Sequence, residues 1–182
     1  RWEADRLRVV GDNGTAVEAG VEAAIEDGLS VEVAWRDREG EARDLAREWV
    51  ELCVRVLPEV DLLLGGGEAT VTVVGVGRGG RNTEFALAAA LALNEAAMTD
   101  WVVASLATDG QDATTGVAGA VGDATTPQRA KAAGVDPWRA LDDNDSLRVF
   151  EAAGGLVVPG PTGTNVNDLY FAVRRTAIDG GR

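Results

Sequence analysis

The sequence predicts an α/β fold of three layers, an α/β/α sandwich with helices on both faces of a mostly parallel or mixed sheet. Three observations carry this prediction. Segments of helical period alternate with segments of strand pattern along the chain. The run WVVASLA (101–107) is apolar almost throughout, as a strand covered on both faces should be. A length of 182 residues at 46% apolar content suffices for one domain with a real core.

The elements follow in order. RLRVV (6–10) reads as a short strand. Ala16, Val17, Gly20, Val21, Ala24 and Ile25 recur at helical spacing, and Gly28 stops that helix. LSVEVAW (29–35) alternates as a strand does. GEARDLAREWVELCVRVL (40–57) is an amphipathic helix presenting Ala42, Leu45, Ala46, Trp49, Val50, Cys53 and Val54, with Pro58 as its end. Residues 60–75 read as two strands broken by three glycines. A helix from about Asn82 to Met98 precedes the 101–107 strand, and TDGQDATTGVAGAVGD (108–123) reads as a long polar loop with room for a short helix. Helices are expected over 125–133 and 144–153. Strands are expected at GLVVPG and at LYFAVRR (169–175).

Composition narrows the chemistry. The chain has no histidine, which removes imidazole bases, Ser-His-Asp catalysis and His-containing zinc sites. Its single cysteine, Cys53, excludes an internal disulfide and fits a reducing, cytoplasmic setting. No run approaches the ~20 apolar residues of a membrane span. A net charge of −13 argues against nucleic-acid or anionic-membrane partners. Of 17 basic residues only Lys131 is a lysine. That balance fits a halophilic protein in concentrated salt, where screening relieves self-repulsion, and equally a GC-rich genome. The chain starts at Arg1 rather than Met, which reads as a piece of something longer.

Three stretches could carry chemistry. GVGRGGRN (75–82) places glycines and two arginines before a helix, where backbone N–H groups and guanidinium groups bind anions. The plain alternative is a solvated strand-to-helix turn. ATDGQD puts Asp109 and Asp112 directly after the 101–107 strand, with Thr108 beside them. A carboxylate there could hold Mg²⁺ or accept a substrate hydroxyl proton, or it could simply form an Asp-Gly turn. GPTGTNVND (160–168) offers Thr162, Thr164, Asn165, Asn167 and Asp168, suited either to a sugar-acid or nucleotide pocket or to local capping. LDDNDS (141–146) reads as helix-capping residues.

Taken together and in order, GGGEATVTVVGVGRGGRNTEFALAAALAL, ATDGQDATTGVAGAVGD, LDDNDSLRVF and GPTGTNVNDLYFAV resemble the MOFRL domain. That is the C-terminal domain of ATP-dependent glycerate 2-kinases, also named hydroxypyruvate reductases. The resemblance treats residues 1–182 as one such domain and is strongest over 63–173. It implies a cleft between two domains, with the larger N-terminal Rossmann-like domain supplying a lysine; that domain is absent from this sequence. It implies Arg81 and Asp109 as catalytic residues, Asp109 also touching the metal. Gly79, Gly80, Asn82, Thr108, Asp112, Thr164, Asn165 and Asn167 are implied to bind substrate or nucleotide. The implied partners are glycerate, ATP, Mg²⁺ or another divalent cation, and the N-terminal domain; a homo-oligomer is compatible. Gly116 and Pro159 depart from the pattern, where an aspartate and a threonine are expected. Two other readings stay open: a non-catalytic anion-binding or regulatory domain, and an NAD-dependent reductase. The latter lacks a GxGxxG after the first strand.

Overall fold

In a computed structural model, residues 9–56 and 60–179 are described, without the side chains of 178 and 179. Six strands form one mixed sheet with helices on both faces, in the order β1-β2-β6-β3-β4-β5. The strands are β1 (Val31–Glu41), β2 (Leu62–Thr70), β3 (Trp101–Ala107), β4 (Gly119–Asp123), β5 (Leu156–Val157) and β6 (Asp168–Arg174). The helices are α1 (Asn13–Glu26), α2 (Ala42–Arg55), α3 (Arg81–Glu95), α4 (Thr126–Ala132), α5 (Pro137–Asp142), α6 (Ser146–Ala153) and α7 (Arg175–Asp179). Only β1 and β2 pair in parallel; β2–β6, β6–β3, β3–β4 and β4–β5 are antiparallel.

Strand alternation divides the core. Leu62 and Leu64 face α1 and pack with Val17 and Ala24. Leu63, Tyr170, Ala172, Trp101 and Val103 face α2 and α3 on the other side. There Trp49 of α2, Phe85 of α3 and Tyr170 of β6 form an aromatic centre, Phe85 stacking on Tyr170 at 4.6 Å between ring centroids. The FALAAALAL segment of α3 is almost wholly buried, because it is apolar all round and lies between the sheet, α2 and α6. Glu84, just before this segment, is 1% exposed and meets Arg43 of α2 through bonds of 3.0 and 2.8 Å. Two residues expected on buried faces are exposed instead, Ile25 and Val54.

Several expectations are corrected. Val9 and Val10 lie outside any strand, and residues 6–8 and Pro58 fall outside the described residues. The segment 60–75 holds one strand, Leu62–Thr70, not two, and that strand runs straight through its glycines. The reason is steric. A Cβ on Gly67 would stand 2.0 Å from the carbonyl oxygen of Arg38 in β1, and one on Gly66 would stand 2.1 Å from Asn13 Oδ1 of α1. The glycines therefore let neighbouring elements approach the strand rather than breaking it. The 108–123 loop gives way to β4 at Gly119, because that stretch completes the ladder on β3. Helix α3 ends at Glu95 rather than Met98, and α5 was not foreseen.

Gly67→Ala should cost about 1–3 kcal/mol, since its obstacle is backbone that cannot rotate away. Gly14→Ala in α1 meets only Asp12 Oδ1 at 3.4 Å, so it should be neutral or gain about 0.5 kcal/mol. Urea midpoints compare the two; equal midpoints would show that close packing does not dictate the β2 glycines.

Candidate functional site

The sheet topology gathers one set of strand ends. Because β6 is antiparallel to both β2 and β3, strands β1, β2 and β3 run the same way. Their carboxyl ends share an edge with the start of β6, where Asp168 pairs with Gly67 on one side and Ala107 on the other. Glu68 follows Gly67, and Thr108 and Asp109 follow Ala107, so all stand at this edge. The carboxyl ends of strands are where open α/β sheets place ligands.

The N-terminus of α3 meets the same edge, but an internal carboxylate occupies its first N–H groups. Asp112 Oδ1 accepts from the Asn82 N–H at 3.0 Å, and Oδ2 accepts from the Thr83 N–H at 2.8 Å and the Thr83 hydroxyl at 2.9 Å. Asp112 is 1% exposed. It serves as a cap supplied from another loop, satisfying donors that a helix start leaves open. Gly80 has no side chain because a Cβ there would lie 2.3 Å from Asp112 Oδ1. Gly79 likewise packs on Ser146 Oγ. These glycines admit the protein's own side chains to the helix start.

Arg81 reaches across the edge. Its Nε and one terminal nitrogen donate to the two oxygens of Asp168 at 2.6 and 3.0 Å, a bidentate pair. Its other terminal nitrogen lies 3.0 Å from Glu68 Oε1. Asn82 locks the arrangement from beneath. Its amide nitrogen donates to Asp168 Oδ1 at 3.1 Å and more weakly to Asp112 Oδ1, while its oxygen accepts from Ser105 Oγ at 2.6 Å. Asn82, Asp168 and Ser105 are all buried. Burial pushes the Asp168 carboxyl above the usual carboxylate range, against the pull of Arg81 and Asn82. On Arg81, burial acts downward, yet hydrogen bonding and charge from Asp168, then Glu68 and Asp112, raise it overall.

Two loops close the edge above β3 and β6. Thr108 donates through its hydroxyl to the Asn167 carbonyl at 2.7 Å and accepts from the Val166 N–H at 2.9 Å. The Thr162 N–H donates to the Asp109 carbonyl. A Cβ on Gly110 would stand 2.1 Å from the Gly160 carbonyl oxygen, so the loops are in contact. Asp109 is half-buried, with Oδ1 accepting from the Gln111 N–H at 2.8 Å. Thr164 and Asn165 are exposed; Asn167 is half-buried in a left-handed conformation at φ 65°.

The DNDS motif does something other than cap α6. Asn144 Oδ1 accepts from the N–H groups of Val74 and Gly75, Asp143 Oδ1 from that of Val76, and Asp145 Oδ1 from that of Arg78. It clasps the strap between β2 and α3 by its backbone, leaving Val74 and Val76 exposed at 72% and 94%. A cavity of about 620 Å³ beside this strap is lined by Val74, Val135, Arg139, Asp143 and Arg148 among others. None of the residues expected in the site lines it, and its open, polar walls mark a surface cleft.

Of the expected residues, then, the fold leaves Arg81, Asp109, Thr164, Asn165 and Asn167 accessible and commits Asn82 and Asp112 to the framework. Glu68, Asp168 and Ser105 complete the edge; Asp168 was among the polar groups of the GPTGTNVND loop, whereas Glu68 and Ser105 were not foreseen as site residues. Their signal was weak but present: Glu68 and Ser105 are polar residues inside otherwise apolar strand segments. Among the described residues, no group of three or more His, Cys, Asp or Glu side chains converges to hold a metal. No helix of the described residues is long and apolar enough to cross a membrane.

Known proteins resemble this chain in sequence and fold. The model of the MOFRL family matches residues 61–168. The D-glycerate 2-kinase of Thermotoga maritima is 37% identical over 173 residues, covering 92% of this chain and 41% of that protein. A protein of Agrobacterium vitis provisionally named hydroxypyruvate reductase is 40% identical, over 91% of this chain and 39% of its own length. The crystal structure of the Thermotoga maritima glycerate kinase superposes with a TM-score of 0.87 at 35% identity, over 93% of this chain and 42% of that one. The chain thus spans about two fifths of the length of the curated relatives it matches. The family match takes in the first three motifs, the start of the fourth, and the positions of Arg81, Asp109 and Asp168, and the chain belongs to the MOFRL family.

Proposed function

We propose that this chain is the MOFRL half of a glycerate 2-kinase, contributing one wall of an inter-domain site that moves the ATP γ-phosphoryl group to the 2-hydroxyl of glycerate. The observation that carries the reading is the placement of Arg81, an anchored and partly exposed cation at the carboxyl edge of the sheet, in a chain 37% identical to a D-glycerate 2-kinase. Phosphoryl transfer needs positioning and charge neutralisation more than covalent help from the protein. Asp168 and Asn82 fix the Arg81 guanidinium before any ligand arrives, so little reorganisation is needed when charge develops. Asp109, with one oxygen held by Gln111, is the carboxylate placed to receive the hydroxyl proton. The residues described form no metal cage of their own. Mg²⁺ suits this reading as a cation carried on the ATP phosphates, with Asp109 as the single carboxylate this chain would offer.

The second reading is a non-catalytic anion-binding or regulatory domain. It is favoured by the engagement of Arg81 with two carboxylates. One assay separates them. ATP consumption with D-glycerate is measured for the 182-residue chain alone and for the chain supplied with the N-terminal domain of a relative. The proposal expects turnover only in the second case. Strong turnover by the chain alone would overturn the two-domain reading, and no turnover in either favours the non-catalytic one.

A further inference from the structure

The two edges of the Arg81 guanidinium are held by very different partners. The edge toward Asp168 belongs to the fold. Asp168 is 0% exposed, takes both hydrogen bonds of a bidentate pair, and is gripped by Asn82 as well. The edge toward Glu68 belongs to the surface. Arg81 and Glu68 side chains are 33% and 46% exposed there, and among the described residues Arg81 is the one ion-pair partner of the Glu68 side chain. Exposed ion pairs of this kind are weak, because water and salt compete for both members.

Glu68 is nevertheless well placed. It stands one residue beyond the last β2–β6 register pair, Gly67 with Asp168, so its backbone is fixed by the sheet. The carboxylates that act on Arg81 are Asp168, Glu68 and Asp112. Two of these are buried and immobile. Only Glu68 can swing away.

We propose that Glu68 is a carboxylate latch on Arg81, a built-in competitor that an incoming phosphate or carboxylate must displace to reach the outer edge of the guanidinium. This rests on the reading of Arg81 as an anion-binding residue and adds a specificity device to it. The latch keeps the outer N–H groups oriented and charge-compensated, and it sets a threshold. A small anion offering one contact gains little by replacing one carboxylate with another. A ligand that brings further contacts, or its own cation, displaces Glu68 and holds the site. Glu68 is thus a specificity-determining residue that acts through Arg81.

The test uses the 182-residue chain with inorganic phosphate as probe, followed by titration calorimetry at low ionic strength, for the wild type, Glu68→Gln, Arg81→Lys and the double variant. Glu68→Gln should bind phosphate about tenfold more tightly, the effect of removing one like charge beside a partly exposed site. That gain should vanish in the Arg81→Lys background, since lysine presents no second edge. Glu68 is half-exposed and Arg81→Lys keeps a cation beside Asp168, so circular dichroism should show all four proteins folded. Unchanged or weaker binding by Glu68→Gln overturns the latch, as does a gain that persists without Arg81. If Arg81→Lys alone loses phosphate, the anion site survives the loss of the latch. If neither the wild type nor Glu68→Gln binds phosphate, both fall.

Discussion

Replacing Asp112 with alanine should cost about 3 kcal/mol of folding stability, the sum of a lost helix cap and of buried donors left without an acceptor. The Asn82 N–H, the Thr83 N–H and the Thr83 hydroxyl all converge on this carboxylate, and no water can reach a group that is 1% exposed. For a chain of this length the loss corresponds to roughly 6–12 °C in melting temperature. Guanidinium unfolding read by far-UV circular dichroism checks it. Asp109→Ala is the matched control, from the same loop and the same residue type. Asp109 is half-buried and makes one local bond, so the change should stay within about 0.5 kcal/mol. An Asp112→Ala protein as stable as wild type, with anion binding altered instead, would return Asp112 to the ligand-binding set that the sequence suggested.

Arg81→Ala should be at least as damaging, and for a different reason. It strands the fully buried Asp168 carboxylate with only the Asn82 amide for company, at a cost of about 3–5 kcal/mol. The penalty should depend on pH in a definite sense. Burial already raises the Asp168 carboxyl, and Arg81 is the chief group pulling it back. Without Arg81 the folded-state value rises further above the unfolded one. The folded protein is then favoured below the unfolded value, and that advantage is lost as pH climbs through the folded value. The stability gap between Arg81→Ala and wild type should therefore narrow as pH falls from neutrality toward the ordinary carboxylate range. Arg78→Ala provides the contrast. Its side chain is 70% exposed and lies 3.9 Å from Glu151, so its loss should be nearly silent. In the proposed two-domain enzyme, Arg81→Ala should lower kcat/KM by about 2–4 kcal/mol equivalent, the worth of a charge-assisted contact to a transferring phosphoryl group. Equal and small effects of the two substitutions would reduce GGRN to a turn.

Much of the fold was legible because it rests on local patterns. The α1 spacing, the amphipathic face of α2, the apolar run of β3 and the alternation of β6 are each set by neighbours in sequence. The four motifs made the family legible as well. What stayed hidden were relations across long separations. An Asp-Gly loop gives no sign that its second aspartate caps a helix 30 residues upstream. A DNDS stretch before α6 looks like a local cap, whereas its side chains accept N–H bonds from a strap about 70 residues earlier. Three glycines in β2 look like a break until Arg38 and Asn13 are seen against them. Glu68 could have been suspected, since a carboxylate at the end of an apolar strand needs a counter-charge. Its partner could not have been named.

The position of β6 in the sheet has a consequence for biosynthesis. It is the last strand of the described chain, yet it lies in the interior of the sheet between β2 and β3. While the chain is being made, everything up to the loop before Asp168 can assemble only as two open pieces, β1–β2 and β3–β4–β5. Each piece presents a free edge built for β6, and such edges recruit whatever strand is near, including those of neighbouring nascent chains. Asp168 opens β6, so the counter-charge of Arg81 arrives in the same late step. A translation product cut short before residue 168 would hold most of the hydrophobic core, two unpaired edges and an arginine without its buried partner. For this family member the hazardous interval is the one before β6 emerges, when that one strand of the sheet is missing.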